Sequence, residues 1–316
     1  MLELAPDAMR QYIDAVAAFE AHEEAVKEAE QVRGGMYWHK GAVVGAGNDY
    51  LVRTTAAGSE KSLGPRSAET EGIYEAFRKR KENAQTRLAG LNEALARHKR
   101  MNRALRVGRV APVVVDILGR LADTGLGAHF RIVGTHALYA YEAATGVRFE
   151  NEALATRDID LLWDVRRRLA FATALSRVDR SMLGVLRKVD ASFRLRNGQK
   201  YTAVNKDGFE VDILRRMQVA GDPHPVRTSD DEDDFWVVQA PRAQALLDAP
   251  GFSAVIVATN GDMARMNTLH PMNFVEIKKW MSDRPDRDPL KRRRDALQAR
   301  VVEEVVRQYL PNLRAP

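Results

Sequence analysis

The sequence predicts an α+β fold, in which a mixed β-sheet core lies between helical N-terminal and C-terminal regions. Long segments near both ends of the chain carry helix-forming residues and recognisable helix starts. Between them, short segments rich in β-formers alternate with helical segments, and Asn-Gly or Asp-Gly pairs mark the turns. We therefore expect three regions: residues 1–110 with helices and a hairpin, residues 111–220 with the sheet core, and residues 221–316 with a hairpin and a helical end.

Composition excludes several classes of protein. The chain has 316 residues, of which 45% are hydrophobic and 29% are charged, as in ordinary globular proteins. It has no cysteine, which excludes disulfide scaffolds, thiolate zinc sites and cysteine nucleophiles. No run of apolar residues is long enough for a membrane helix and the N-terminus does not look like a signal peptide, so we expect a cytoplasmic protein. The net charge of +6 favours phosphate-bearing partners only weakly.

The N-terminal region is predicted to contain two helices and a hairpin. The first helix is expected over 6–31, and β-formers around a Gly/Asn-rich centre predict a hairpin that pairs 36–40 with 50–53. Ser67 is the expected N-cap of a long second helix. The apolar stripe of that helix consists of Ile73, Phe77, Ala84, Leu88, Leu91 and Leu95.

The opposite face of the second helix is strongly basic. Residues 78–106 contain ten Lys or Arg and two Glu, which gives a local net charge of 10 − 2 = +8. Such a face is either a solvated helix surface or a binding surface for phosphates, and the sequence leaves both interpretations open. In the second case the helix would bind RNA or another nucleic acid.

The rest of the chain alternates between helices and strands. The predicted elements, in order, are a helix over 113–124, a strand over 129–133 with a helix after it, a strand over 158–163 with a helix from 166, strands that turn at 197–198 and 207–208, a hairpin that turns at 260–261, and helices over 274–281 and 289–309.

Acidic and aromatic residues outside these motifs receive structural interpretations. The acidic run 230–234 is expected to form a solvated loop. All four tryptophans, Trp38, Trp163, Trp236 and Trp280, are expected in the core, and Trp38 is the best candidate among them for stacking on a base.

Three aspartates on predicted strands indicate a metal site. In a strand, alternate side chains point to the same face, so the carboxylates of Asp158 and Asp160 converge there. Two buried like charges are costly unless a cation neutralises them, and Mg²⁺ prefers such oxygen ligands. Asp212, on a later apolar strand, is expected to complete a cluster that holds two divalent ions, with Glu210 as a fallback ligand.

A glycine-threonine turn precedes the aspartates. Gly134 and Thr135 close one strand and open a helix. Glycine allows the backbone to approach a phosphate, and the helix start offers free N–H groups besides the threonine hydroxyl. We therefore expect a phosphate-binding turn here. His136 is the one histidine singled out, because it lies beside this turn; for the others a structural role is expected.

Together these motifs resemble the signature of the polymerase-β-type nucleotidyltransferase superfamily, which has a Gly-Ser or Gly-Thr turn, an Asp-x-Asp or Asp-x-Glu pair and a later acidic residue. The resemblance covers about residues 112–215. It extends to a bacterial branch of nucleotidyltransferase-like proteins, to which the segments GMYWHKG, YLVR, SLGPRS and DRDPLKRRRDALQA are similar. It implies a nucleotidyltransferase-fold sheet and Mg²⁺-dependent transfer of a nucleotidyl group from an NTP to a hydroxyl of RNA, protein or a small molecule.

The resemblance also implies roles for individual residues. Asp158 and Asp160 would hold both Mg²⁺ ions, Asp212 would bind the ion nearer the acceptor and help to deprotonate the hydroxyl, and Gly134 and Thr135 would hold the β- and γ-phosphates.

Related nucleotidyltransferases look similar in carrying a C-terminal Lys before an Arg-x-x-x-Lys helix. Lys278, Arg287 and Lys291 match that pattern and would contact the triphosphate. The alternative is an ordinary basic helix with local ion pairs, since Lys291 and Asp295 lie four residues apart on one helix face.

One feature departs from the family pattern. The separation between Gly134 and Asp158 is longer than usual, and the extra residues 145–156 are expected to form a loop that shapes the pocket or marks an altered site. Three alternatives to the enzyme stay open: a non-enzymatic nucleic-acid-binding protein, a catalytically inactive relative, and aspartates that are only turn or edge residues.

Overall fold

The computed structural model describes residues 1–40, 49–55, 58–154, 156–219, 221–222, 224 and 226–313. The helices in these ranges are α1 (Pro6–Gln31), α2 (Ala68–Ala104), α3 (Pro112–Asp123), α4 (Ala137–Thr145), α5 (Asn151–Leu154), α6 (Arg168–Ser176), α7 (Met182–Arg187), α8 (Ala243–Asp248), α9 (Pro271–Asp283) and α10 (Pro289–Tyr309). The strands are β1 (Leu2–Glu3), β2 (Gly35–His39), β3 (Tyr50–Thr54), β4 (Glu60–Pro65), β5 (Phe130–Val133), β6 (Val147–Arg148), β7 (Asp158–Trp163), β8 (Arg194–Arg196), β9 (Gln199–Val204), β10 (Glu210–Arg215), β11 (Val238–Gln239), β12 (Gly251–Val257) and β13 (Met263–Leu269).

The chain divides into two compact units. One consists of Met1–Met9 together with Asn102–Pro316, and the other of Arg10–Met101. Within the described residues, no helix combines the length and the apolar character needed to cross a membrane.

The Arg10–Met101 unit contains a three-stranded antiparallel sheet in the order β2-β3-β4. The predicted hairpin is present, with Gly35 opposite Thr54 and His39 opposite Tyr50; its Gly/Asn-rich centre, 41–48, lies outside the described residues. Strand β4 was not predicted, because it contains charged residues, a glycine and a proline, which are uncommon in strands.

The two long helices of this unit contact each other through polar side chains as well as apolar ones. His22 Nε2 lies 2.9 Å from Asn92 Oδ1, and the apolar cluster beneath includes Val32, Phe77 and Ala84. The Ser67 hydroxyl accepts a hydrogen bond of 3.2 Å from a backbone N–H of the first turn of α2, so the predicted N-cap is confirmed.

The larger unit is built around an eight-stranded mixed sheet. Its order is β12-β13-β5-β7-β10-β9-β8, with β11 paired to β10. Strands β7 and β10 run parallel, while β5 and β9 run antiparallel to them. The predicted α+β class with a mixed central sheet is therefore confirmed.

Alternation along β7 assigns its two faces. Ile159, Leu161 and Trp163 are fully buried in the main core cluster, whereas Asp158 and Asp160 point to the other face and are only partly buried. Burial of the apolar side chains is worth roughly 2 kcal/mol for each of them, which fixes the register, since a one-residue shift would bury the aspartates instead.

A second apolar cluster attaches the C-terminal helices to the carboxylate side of the fold. It joins Leu138 and Tyr141 of α4 to Phe274 of α9 and to Val302 of α10. The Tyr141 hydroxyl also donates a hydrogen bond of 2.9 Å to the Leu269 carbonyl, at the end of β13. This packing holds α9 and α10 next to the start of α4.

The described part of the extra segment, residues 145–154, contains a strand and a helical turn rather than only the expected loop. Gly146, at φ +67°, ends α4, and the following strand β6 pairs antiparallel with β1. The α5 turn then packs in the second cluster through Ala153 and Leu154. A partly buried ion pair between Arg109 and Glu142 reinforces the segment, since Arg109 also donates to the Phe149 carbonyl at 2.8 Å.

The expectation of a solvated acidic loop at 230–234 is wrong for Asp234. Its carboxylate is completely buried and lies at the start of α7, beside the N-cap residue Ser181. It accepts four hydrogen bonds, from the backbone N–H groups of Met182 and Leu183 and from the hydroxyls of Thr228 and Ser229. A carboxylate at a helix start satisfies donors that the helix leaves free, so this acid holds the segment in place.

Three of the four tryptophans expected in the core are not fully buried. Trp163 is fully buried, as expected, but Trp236 is 40% exposed, and Trp280 is only partly buried and lines a cleft. Trp38 lies in the smaller unit, with the Arg66 guanidinium 5.1 Å from its ring centre and Tyr74 beside it.

Candidate functional site

Strand register brings the predicted aspartates together. Because β7 and β10 are parallel neighbours, Asp160 lies opposite Asp212 and Asp158 lies opposite Glu210. The period of two then puts all four carboxylates on the same face of the sheet, opposite the main core.

The electrostatics of this face are unfavourable without a cation. Burial raises the pKa of Asp160 to about 7, and the negative charges of Asp158 and Asp212 act in the same direction. Lys278 and Lys291 oppose that rise only in part. Asp160 is therefore the carboxylate of the cluster that most needs a positive partner.

Asp212 has its own partners on the neighbouring strands. Burial raises its pKa, a hydrogen bond from Thr202 lowers it, and the charges of Asp158 and Glu210 raise it further. The Thr202 hydroxyl donates to Asp212 Oδ1 at 2.5 Å. One carboxylate oxygen is thus fixed by β9, while the net pKa stays above its ordinary value.

Gly134 is required by the geometry around Asp160. Strand β5 runs antiparallel to β7 with Val133 opposite Asp160, so the next residue lies directly against that carboxylate. Gly134 has φ +70°, and a Cβ atom there would lie 2.3 Å from Asp160 Oδ2. Only glycine combines the left-handed backbone with such a close approach.

Thr135 is held by a residue that the sequence did not single out. It is buried in the 3-10 turn Gly134–His136 that leads into α4. Gln298 of α10 donates Nε2–H to Thr135 Oγ1 at 3.1 Å and to the Ala153 carbonyl at 2.6 Å. Because the threonine oxygen accepts from Gln298, its own hydrogen remains available to another acceptor.

His136 supports the site structurally. Its ring is buried between Tyr139 and Phe209. Burial lowers the pKa of His136 to about 4, although Asp158 raises it through its charge and a backbone hydrogen bond. The imidazole is therefore neutral near pH 7, and it links the glycine-threonine turn to the start of β7.

The C-terminal cations are organised by a buried acid. Asp295 of α10 is fully buried; Lys278 Nζ donates to its Oδ1 at 2.8 Å and Arg287 Nε to its Oδ2 at 2.5 Å. Burial lowers the pKa of Lys278, and Asp295 opposes that shift. The sequence placed Asp295 on the same helix face as Lys291, but its partners are the two cations of the preceding segment.

A cleft of about 560 Å³ lies among the carboxylates of β7, the glycine-threonine turn and the C-terminal cations. Its lining includes seven of the eight predicted site residues: Gly134, Thr135, Asp158, Asp160, Lys278, Arg287 and Lys291. Asp212 does not line it and lies one strand away, beside Asp160. No described residue of the 145–156 segment lines the cleft, so this segment does not shape it directly.

The donor set of the cleft suits a shared Mg²⁺ rather than a complete protein cage. Among the residues that the structure describes, no three His, Asp or Glu side chains are grouped so that they hold a metal ion between them. Mg²⁺, however, is usually bound by one or two carboxylates together with substrate phosphates and water. Asp158 and Asp160, adjacent on one strand face, fit that mode, and a cation would offset the charge that raises the pKa of Asp160.

The comparison with protein families agrees with this geometry. A family model described as nucleotidyltransferase matches residues 113–315, which include the sheet, the aspartates and both C-terminal helices. The chain therefore belongs to a nucleotidyltransferase family, and general nucleotidyl transfer is the activity of its class. No curated protein and no solved structure matches the chain.

The basic stretch 78–106 lies outside the matched residues, and part of its charge is already paired. Arg87 forms ion pairs with Glu24 and Glu28 of α1, and Lys81 donates to the Gly34 carbonyl at 2.6 Å. The net charge available to a partner is thus lower than the composition of α2 alone indicates.

Proposed function

We propose that the chain transfers a nucleotidyl group from an NTP to an acceptor hydroxyl in a Mg²⁺-dependent reaction. The acceptor oxygen bonds to the α-phosphorus while the bond between the α- and β-phosphates breaks, and pyrophosphate leaves. The observation that carries this proposal is the cleft itself. Its lining combines the carboxylates of Asp158 and Asp160 with the cations Lys278 and Lys291 and with the Gly134 turn, and the charges of both lysines act on Asp160. A triphosphate with its metal ions requires this combination of negative and positive groups.

In this proposal Asp158 and Asp160 hold two Mg²⁺ ions, and Asp212 completes the ligand set on the acceptor side. When bound, Mg²⁺ neutralises phosphate charge and makes the acceptor hydroxyl easier to deprotonate. Asp212 would then accept the hydroxyl proton. Its second oxygen is suited to this, since the first already accepts from Thr202.

Hydroxyl and ammonium groups that line the cleft would hold the phosphates. The Thr135 hydroxyl has its hydrogen free to donate, because its oxygen accepts from Gln298. Lys278 uses one of its three donors on Asp295 and keeps two for a phosphate. Lys291 lines the same wall and forms no ion pair with another described residue. Positioning and charge neutralisation supply the catalysis.

The test follows the label of the transferred group. Purified protein is incubated with Mg²⁺, total RNA or total protein, and each of the four NTPs labelled at the α- or the γ-phosphate. Transfer of α-label but not γ-label is expected, and removal of the label by nuclease or protease identifies the acceptor class. Asp160→Asn should lower the transfer by at least about a hundredfold. A chain that binds NTP with Mg²⁺ but transfers neither label would be an inactive relative.

For the acceptor we propose RNA, bound by the basic face over 78–106. The triple variant Arg97→Glu, Lys99→Glu and Arg100→Glu should weaken RNA binding and flatten its dependence on salt, because each lost phosphate contact reduces the counterion release. NTP binding should stay unchanged. An unaltered salt slope would contradict an RNA acceptor on this face, while steep salt dependence without any Mg²⁺ or NTP requirement would favour a non-enzymatic nucleic-acid-binding protein.

A further inference from the structure

The cleft has an apolar part that neither metal nor phosphate binding uses. Beyond the carboxylates and cations, its walls include Pro241 before α8 and Ile277, Trp280 and Met281 of α9. Charged triphosphates gain nothing from such surfaces, whereas small-molecule sites commonly combine a mostly apolar wall with a few convergent polar groups.

Trp280 is the largest side chain in this part of the cleft, and two planar guanidinium groups pack against its ring. The Arg242 guanidinium lies 4.7 Å from the ring centre, and that of Arg284 lies 5.0 Å from it. A tryptophan that packs in a core would be covered by aliphatic side chains. Here the indole faces the cleft and accepts flat, polar, π-bearing groups at contact distance.

Arg242 is held beside this ring by an unusual backbone. It has φ +62°, one of two non-glycine residues with positive φ in the described part of the chain, and it precedes the first residue of α8. The left-handed conformation is unfavourable for a residue with a side chain. The contact described for its side chain is the one with the Trp280 ring.

We propose that Trp280 is the surface on which the base of the NTP stacks. The base takes the place of the partly exposed Arg284 guanidinium, and Arg242 remains beside the ring as a second planar contact. This inference rests on the proposed function. Lys278 and Trp280 both line the cleft, so a single nucleotide bound there can place its phosphates near the first and its base on the second. The volume of about 560 Å³ lies in the range of small-molecule sites. Because every base has a π-face, stacking on Trp280 supplies affinity for all four NTPs.

The experiment compares ligands with and without a base. Binding of ATP, GTP, CTP and UTP, and of inorganic tripolyphosphate as the base-free probe, is titrated with Mg²⁺ present. Trp280→Ala should weaken NTP binding about 5- to 100-fold and leave tripolyphosphate binding unchanged. Trp280→Phe should keep most of the affinity. Trp236→Ala, which removes an exposed tryptophan outside the cleft, is the matched control and should bind like the wild type.

The outcomes separate this inference from the proposed function. Equal loss of NTP and tripolyphosphate binding in Trp280→Ala would show a structural role and overturn the inference, as would unchanged NTP binding. If that variant does not fold, Trp280→Leu keeps an apolar side chain without a π-face and must show the same selective loss. A wild-type protein that binds tripolyphosphate and NTPs equally would overturn the inference alone, whereas one that binds neither would overturn the proposed function with it.

Discussion

Replacement of Asp160 by asparagine should stabilise the metal-free protein at high pH. The pKa of this carboxyl is raised from 3.8 to about 7 by burial and by the neighbouring aspartates. The folded state therefore binds more protons than the unfolded state between those values, and stability falls as the pH rises through that window. About 3 pKa units at 1.36 kcal/mol each give about 4 kcal/mol, which screening in the solvent-accessible cleft reduces to about 2–3 kcal/mol.

The assay is thermal melting of wild type and Asp160→Asn from pH 4 to pH 8. At pH 8 the variant should melt about 4–12 °C higher, and near pH 4 the two should coincide because both residues are then uncharged. Added Mg²⁺ with NTP should raise the melting temperature of the wild type and have little effect on the variant. A variant that is no more stable at pH 8, or a difference independent of pH, would refute the cluster of uncompensated carboxylates.

A matched control lies just beyond the other end of the same strand. Burial raises the pKa of Asp164, but hydrogen bonds from Arg166 outweigh it and leave that pKa below its ordinary value. The sign is then reversed: Asp164 contributes stability above its unfolded pKa and loses it as the pH falls. Asp164→Asn should therefore destabilise the protein at pH 8 and have no effect in strong acid. The same melting experiments measure both variants.

Three further substitutions test close contacts and buried hydrogen bonds by urea denaturation. Gly134→Ala should lower the free energy of unfolding by about 3 kcal/mol or more. Gly198 also has a positive φ of +73° but open space around it, so Gly198→Ala should lower this free energy by only about 1–2 kcal/mol. The difference between the two variants should disappear when Asp160 is also replaced by alanine. Asp234→Ala should cost about 3 kcal/mol or more, because four buried donors lose their acceptor, and a loss below about 1 kcal/mol would contradict its role. Gln298→Leu should cost about 1–3 kcal/mol and weaken stabilisation by NTP; unchanged NTP binding would show that the threonine hydroxyl needs no support.

Strand alternation made the central part of the site predictable. Apolar residues at 159, 161 and 163 require one face of β7 to be buried, so the carboxylates between them had to share the other. The sequence could not reveal which strand lies beside β7, because pairing depends on the whole sheet. In the structure β10 is that neighbour, and Asp212 lies opposite Asp160. Because of this register, the charge of Asp212, which is distant in sequence, raises the pKa of Asp160 together with that of Asp158.

Polar residues that act through tertiary contacts were harder to predict. Asp234 lies in a run of five acids, and nothing local distinguishes the one that binds the start of α7. In the sequence, Trp280 lies in a helix among residues that suggest a core position. Only the arrangement of α8 and α9 shows that its ring lines the cleft. Gln298 carried a usable signal, since it is a polar residue on the face of α10 that also bears Val302 and Val305, where an amide needs a buried partner.

The buried polar face of α10 explains why the site needs the C-terminal helices. Asp295 fixes Lys278 and Arg287 on one wall of the cleft, and Gln298, less than one helical turn further on, fixes Thr135 on another. An uncompensated Asp295 would be costly to bury, so it can stay buried only while the two cations remain beside it. A single helix thus couples the position of the cationic wall to that of the glycine-threonine turn, and a displacement of α10 would disturb both at once. All the residues of this coupling lie within the family match over 113–315.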